Sequence, residues 1–330
     1  MRGENGGKIL KILVTGGAGY IGSHLVDRLL ERGEEVYVLD NLSTGKIVNV
    51  KHHLSNPRFH FINDTVLNEP LVEGLVKECA LIFHMAAAVG VRYVVEDPLR
   101  AVLTNVKGTE IVLHYAYKYW RKVVLASTSE IYGKATKIPF EEEDDRVLGT
   151  TEIHRWSYST SKAIDEHLAF AYHDKGLPVV ILRYFNSYGP RLDEKGYGSV
   201  IANFIRQAMR GEPITVHGDG RQTRCFTYID DTVHGTLLAT DVKAGEGMVF
   251  NIGTTVETSI LELARTIKAL LSSPSEVVFV PYEAYYGRGF EDTPRRVPSI
   301  ERARKLLGYE PKVGLEEGIK KTIEWCMEHY

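Results

Sequence analysis

Residues 11–22, Lys-Ile-Leu-Val-Thr-Gly-Gly-Ala-Gly-Tyr-Ile-Gly, constrain the fold more than any other stretch. Lys11 to Thr15 has the length and apolar character of a strand, and Gly16, Gly19 and Gly22 follow at three-residue spacing. From Ser23 to Leu30 the apolar positions recur with a helical period. A strand that turns through glycines into a helix offers free N–H groups and the positive helix end to a pyrophosphate. On this reading Gly16 makes the tight turn, Gly19 lets the backbone approach the phosphates, and Gly22 lets helix and strand pack closely. Tyr20 and Ile21 sit in the same turn. A glycine-rich βα turn with no ligand has the same local pattern, so the residues beyond the first helix must decide.

Glu35 to Asp40 reads as a second strand that ends in an acid, 18 positions beyond Gly22. A carboxylate about 20 residues on is where an adenosine ribose is met. Asp40, with Asn41 beside it, would accept hydrogen bonds from the ribose hydroxyls and repel a 2′-phosphate. No basic residue immediately follows, so NAD is favoured over NADP. Phe59–Ile62 is a third strand running to Asp64, which could reach the adenine amino group or cap the next helix. Ala80–His84 is a fourth strand, and the small residues Ala86 and Ala87 after it would let the backbone lie against a cofactor.

The rest of the chain continues the alternation. Leu99–Trp120 and Ser159–His173 read as long helices, with strands at Val123–Ala126 and Val179–Tyr184. Strands alternating with helices, without hairpin signals, predict an α/β fold: a Rossmann-type, doubly wound parallel sheet. Beyond residue 185 the elements shorten and the loops lengthen. We divide the chain into a dinucleotide-binding domain, 1–185, and a smaller α/β substrate-binding domain, 186–330, with part of 226–255 packing back on the first. The wide apolar stripes of the helices near 99–120 and 159–173 suit a homodimer joined through them.

Composition excludes several classes. The net charge of −3 is spread along the chain, leaving no basic stripe for nucleic acid and no polybasic segment for a membrane. Cys79, Cys225 and Cys326 have no metal-ligand spacing, and three sparse cysteines suit a reducing cytoplasm. The polar N-terminus and the absence of a long apolar run predict neither a signal peptide nor a transmembrane helix. No metal site is expected.

Tyr158-Ser-Thr-Ser-Lys162 places a phenol and an ammonium one helical turn apart on one face. A free tyrosine, with a pKa of about 10, is a poor base at neutrality. A neighbouring Lys⁺ and the positive nicotinamide of NAD⁺ both favour phenolate, so the pair could deprotonate a sugar hydroxyl. Thr128, at the end of the fifth strand, could hydrogen-bond the same oxygen.

With these residues in view, the chain resembles the extended short-chain dehydrogenase/reductases. The resemblance rests on Thr-Gly-x-x-Gly-x-x-Gly, Asp40, Ala86–Ala88, Asn105-Val-x-Gly108-Thr109, Ser127-Thr128-Ser129-Glu130-x-Tyr132-Gly133 and Tyr158-x-x-x-Lys162. These are the nucleotide-sugar epimerases, dehydratases and decarboxylases, and they imply a tightly held NAD that is reduced and reoxidised within one turnover. The resemblance implies Tyr158 as base, Lys162 on the nicotinamide ribose and Thr128 as helper. It adds Asn105 to the cofactor contacts and Asn186 and Arg224 to those of the nucleotide diphosphate; Arg191, in the loop after Asn186, is a further substrate-binding candidate.

Ser129 stands where the dehydratases of this family have an aspartate, which argues against dehydration. Ser-Thr-Ser-Glu-x-Tyr-Gly is similar to UDP-glucuronate decarboxylases. So are Arg155-Trp-Ser-Tyr158, Tyr285–Asp292 and Arg296–Ile300 to related decarboxylating enzymes. There the glutamate matching Glu130 sits by the substrate carboxylate, and the arginine matching Arg296 is a candidate proton donor. Arg155 and Arg296 would supply the cations that an enolate needs. The implied activity is NAD-dependent oxidation at carbon 4 of a UDP-sugar, decarboxylating UDP-glucuronate to UDP-xylose or its 4-keto precursor. Val89-Gly-Val-Arg92 is instead similar to a loop of 4-epimerases whose arginine meets the substrate, so 4-epimerisation is the alternative. A non-catalytic NAD-binding regulator is a third reading, opposed by the intact Thr128, Tyr158 and Lys162.

Overall fold

Seven parallel strands form the central sheet of the computed structural model, which describes residues 9–90, 97–192, 199–282 and 293–329. Six come in succession from the N-terminal part of the chain: β1 (Lys11–Thr15), β2 (Glu35–Leu39), β3 (Phe59–Ile62), β4 (Leu81–His84), β5 (Lys122–Thr128) and β6 (Val179–Tyr184). The short strands β7 (Ser187–Tyr188), β8 (Ile214–His217), β9 (Thr223–Cys225) and β10 (Thr227–Tyr228) follow, and β11 (Met248–Ile252) returns to pair with β6. The spatial order is β11-β6-β5-β4-β1-β2-β3. The order therefore reverses between β1 and β4. Open α/β sheets hold their ligands at such a switch point, beyond the carboxyl ends of the strands.

The strands are apolar on both faces because both faces are covered. Val14 belongs to one core cluster, with Leu25 and Val26 of α1 (Tyr20–Glu31). Its neighbour Leu13 belongs to the other, with Val72 and Val76 of α2 (Glu69–Glu78). Helix α3 (Pro98–Tyr119) packs on that second face beside α4 (Arg155–Asp174). Helix α5 (Val200–Arg210) sends Phe204 and Ile205, and α6 (Ile229–Asp241) sends Val233 and Leu237, into the first cluster. The C-terminal part thus shares a core with the sheet.

The remaining elements are β12 (Glu257–Ser259), α7 (Ile260–Leu270), β13 (Val277–Val280), β14 (Arg295–Arg296), α8 (Glu301–Leu307) and α9 (Leu315–His329). Strand β9 lies between β12, antiparallel to it, and β14, parallel to it. Among the described residues no helix is long and apolar enough to cross a membrane.

The structure is the expected doubly wound α/β fold, with two differences of detail. Helix α4 begins at Arg155 rather than near Ser159, because the turn Thr150–His154 already supplies helical backbone bonds, Trp156 N–H to Ile153 O and Ser157 N–H to His154 O. Tyr158 therefore sits inside the first turn. Strand β11 had no periodic signal of its own in the sequence.

Candidate active site

A cleft of about 1350 Å³ runs along the carboxyl ends of the sheet strands, from the Gly16 turn to Arg296. At one end it is built by backbone. Gly16 has φ +70°, and a Cβ there would come within 2.7 Å of Ala86 N, so glycine is required. A Cβ on Gly22 would overlap Gly16 O, which lets α1 approach β1. Helix α1 opens on Gly19 with no side chain capping it, and Gly19, Tyr20, Ile21 and Gly22 line the cleft. The N–H groups of a helix's first turn have no partner within the helix, which makes this end a seat for an anion.

Asp40 lies beside that turn, buried, and its oxygens accept from Ala18 N–H at 2.9 Å and Leu42 N–H at 2.8 Å. Burial raises its pKa, and the backbone N–H groups of Leu42, Ala18 and Gly19 oppose that rise. A carboxylate has about four lone-pair sites, so capacity remains for hydroxyls. Asn41 lines the cleft and its Oδ1 accepts from Ser43 N–H. Asp64 also lines it while its two oxygens hold the local turn, through Thr65 N–H and Asn68 Nδ2. Ala86 and Ala87 form the opposite wall.

Asn105 lies buried behind that wall, where Oδ1 accepts from Ala88 N–H at 2.7 Å and Nδ2 donates to Ser161 Oγ at 3.1 Å. Its place in α3 lets it bolt the Ala86–Ala88 segment to α4.

The other end is built by charged side chains from distant parts of the chain. Glu130, in the turn after β5, receives Arg296 of β14 at 2.8 Å on Oε1 and Arg155 of α4 at 3.4 Å on Oε2. Both arginines are buried, whereas the Glu130 side chain keeps 19% of its surface. Burial alone would raise the Glu130 carboxyl. Arg296, Arg155 and Arg224 outweigh it and hold the group down at about 2. Parallel pairing sets Arg296 opposite Arg224, whose Nη1 donates to Thr223 O at 2.7 Å. Arg224 is thus within charge reach of Glu130, although it does not itself line the cleft.

Between the two ends stand Thr128, Tyr158 and Lys162, all lining the cleft. The Thr128 hydroxyl accepts from Glu130 N–H at 3.1 Å and faces the Tyr158 phenol. Burial raises the Tyr158 pKa above its ordinary value and the Glu130 charge adds to the rise, while Thr128 opposes it. Lys162 donates to Asp165 Oδ2 at 2.7 Å, with both side chains almost wholly buried. The sequence reading missed Asp165. An acid three residues after the lysine, on the same helix, was the signal available.

Asn186, at φ +39°, lines the cleft and holds a buried Oδ1 without a hydrogen-bond partner. Arg191 turns to Asp27 on α1, Nη2 to Oδ2 at 2.7 Å. His52 and His53 donate from Nε2 to the other oxygen of Asp27, so metal-ligand-type atoms of Asp27, His52 and His53 gather within 4.8 Å. Arg92 and Tyr285–Asp292 lie outside the described residues.

A doubly wound sheet with a glycine turn at its switch point, an acid after β2 and a Tyr-x-x-x-Lys helix facing the same cleft defines a dinucleotide-dependent oxidoreductase-type scaffold. More narrowly, residues 13–322 match the GDP-mannose 4,6 dehydratase family model, and the chain belongs to that family. It is 43% identical to a UDP-N-acetyl-alpha-D-glucosaminuronate decarboxylase of Bacillus cytotoxicus, over 96% of this chain and 98% of that one. It is 38% identical to UDP-glucuronic acid decarboxylase 4 of Arabidopsis thaliana, over 96% of this chain and 68% of that one. Among solved structures it is similar to the UDP-glucuronic acid 4-epimerase of Bacillus cereus in complex with UDP-glucuronic acid and NAD. The TM-score is 0.87 at 31% identity, covering 97% of this chain and 100% of that one.

Proposed function

We propose that this protein is an NAD-dependent enzyme that oxidises carbon 4 of a UDP-hexuronate and releases its carboxylate as carbon dioxide, UDP-glucuronate giving UDP-xylose or its 4-keto precursor. The observation that carries the reading is Glu130 held anionic between Arg296 and Arg155, beside Thr128 and Tyr158 in the cleft. Both named decarboxylases act on UDP-hexuronates.

The cofactor end fits NAD. Gly16 and Gly22 leave the room that a Cβ would fill, the uncapped start of α1 suits a pyrophosphate, and buried Asp40 suits free ribose hydroxyls. When bound, NAD⁺ would supply a positive charge and a reversible hydride acceptor at carbon 4. Tyr158 takes the proton of the carbon-4 hydroxyl, and Thr128 holds that oxygen in line. Lys162 meets the nicotinamide ribose and favours the phenolate.

The oxidised sugar is a β-keto acid, which loses carbon dioxide and leaves an enolate. Arg296 and Arg155 act as fixed charges on the carboxylate and then the enolate. Glu130 disfavours a second carboxylate beside it, and departure of that group as neutral carbon dioxide relieves the repulsion. Water delivers the proton to carbon 5. Asn186 and Arg224 contact the diphosphate.

The 4-epimerase reading is the alternative, supported by the likeness to the Bacillus cereus enzyme. It needs the same Tyr158 and Thr128 but gives no use to the Glu130–Arg296 pair. We further propose a homodimer through α3 and α4, where the apolar Leu103 and Ile164 are exposed, and a cytoplasmic setting that suits the free thiols Cys79, Cys225 and Cys326.

The test is incubation of the protein and NAD⁺ with UDP-glucuronate and, separately, its 2-acetamido counterpart, with products resolved by proton NMR. A UDP-pentose or its 4-keto form supports the proposal. A UDP-uronate epimer alone makes the enzyme an epimerase.

A further inference from the structure

The Lys162 ammonium ends a buried polar chain that the proposed reaction does not use. Ala86 N–H donates to Thr15 Oγ1 at 3.3 Å, and Thr15 Oγ1 lies 2.8 Å from His84 Nδ1. His84 Nε2 lies 3.1 Å from Thr109 Oγ1. Burial raises the Asp165 pKa, while the Lys162 charge and, more weakly, the facing Thr109 hydroxyl favour its charged form; Asp165 Oδ1 has no partner at full hydrogen-bond distance. Asp165 Oδ2 then accepts from Lys162 Nζ at 2.7 Å. Two strands and two helices, β1, β4, α3 and α4, meet here, and the side chains are almost wholly buried: His84 and Lys162 are each 2% exposed, Thr15, Thr109 and Asp165 not at all.

The direction of the hydrogen bonds follows from charge. Burial, and then the Lys162 charge, hold His84 down to about 3, so the ring is neutral. The network assigns its tautomer: Nδ1 accepts from Thr15 and Nε2–H donates to Thr109. The Thr109 proton is then left to point at Asp165. Removing water from a carboxylate is costly unless it is paired. Here the pairing is one-sided, and the partner is the lysine whose charge the reaction needs.

We propose, resting on the proposed NAD-dependent oxidation, that Asp165 is a positioning residue: it fixes the Lys162 ammonium at the cleft wall and, by its own charge, tempers how strongly that ammonium favours the Tyr158 phenolate. Three ionisable groups face this pair: Tyr158 and Glu166 from α4, and His84 from β4. Glu130, from the turn after β5, acts on Tyr158. The Asp165 and Glu130 charges both raise the Tyr158 pKa, burial being the larger cause. Glu166 is already bound to Arg183 at 2.7 Å and Ser127 at 2.5 Å, so it cannot replace Asp165 as the partner of Lys162. Lysine and acid therefore act as one unit, in which Asp165 withholds part of the activating charge.

The test reads the phenol directly in the full chain. Protein carrying ¹³Cζ-tyrosine is titrated by NMR with NAD⁺ bound, Tyr158→Phe identifying the resonance. Asp165→Asn and Asp165→Ser, both uncharged, should lower the Tyr158 midpoint by about one pH unit, and Asp165→Glu should leave it within a few tenths. The acid limb of kcat should move down by the same amount in the uncharged variants. Ser leaves room for water, so it serves if Asn does not fold. A merely structural aspartate predicts the opposite order, with isosteric Asn closest to wild type; that result, or an unmoved midpoint in a folded uncharged variant, overturns the proposal. The titration needs no turnover, so failure of the decarboxylase reading, seen as no carbon dioxide from any protein, is separate from failure of this one.

Discussion

The two ends of the cleft achieve specificity by different means. The cofactor end is shaped by main chain: a glycine at positive φ, an uncapped helix start and a carboxylate braced by backbone N–H groups. The sugar end is shaped by buried charge, with Glu130, Arg155 and Arg296 brought together from a turn, a helix and a short strand. Shape made of backbone is lost by adding atoms, whereas a charge cluster is lost by removing one member. The first end should govern affinity and the second should govern chemistry.

Substitutions can break that division. Tyr158→Phe, at the boundary, should lower turnover by about 10²–10⁴-fold while leaving NAD⁺ affinity within a few fold, measured by stopped-flow and calorimetry. Arg296→Met should cost about 10²–10³-fold in kcat, and the Glu130 carboxyl should titrate above its value of about 2 because its largest opposing charge is gone. If Arg296→Met changed only KM, the charged end would be a binding device and the division would fail.

Gly16→Ala should act on the other side. Its φ of +70° and the approach to Ala86 make the variant strained. A cost of about 1–3 kcal/mol should appear as weaker NAD⁺ binding and a lower Tm, with kcat at saturating NAD⁺ changed least.

The smallest effect is on stability against pH. The folded pKa of His84, at about 3, lies below the unfolded value of about 6.5. Its contribution is full above about pH 6.5 and fades as pH falls toward 3, at a slope approaching about 1.4 kcal/mol per pH unit. His24, held at about 4 chiefly by burial, has the same sign. Glu130 begins to contribute its loss only below about pH 4.3, fading toward its folded value of about 2. His84→Gln should therefore flatten the urea-midpoint profile between pH 6.5 and 5 and leave the part below pH 4.3 steep.

The same contrast explains what could be read before the fold was known. The cofactor end is local: the Gly16–Gly22 turn and Asp40 lie on two successive strands, so spacing alone brought them together. Tyr158 and Lys162 share one helix, and their i,i+4 relation was equally legible. The side-chain partners of Asn105 and Arg191 were not, because motif matching fixes a position on the chain and not the direction of a side chain. Asn105 faces the wall segment it braces, and Arg191 faces Asp27. The meeting of Glu130 with Arg296 depends on β14 pairing beside β9, a contact across 166 residues that no periodicity encodes. The resemblance to decarboxylases pointed to both residues, but only the pairing explains how the glutamate stays charged. Asp165 was visible in the sequence, yet its burial and its bond to Lys162 were not.

The most direct measurement is the carbon dioxide released from carboxyl-labelled UDP-glucuronate and its 2-acetamido counterpart, counted against substrate consumed, for wild type and Tyr158→Phe. The account predicts one carbon dioxide for each substrate lost in wild type, on at least one of the two, and almost none with Tyr158→Phe. Substrate converted in full with its carboxylate retained would contradict it.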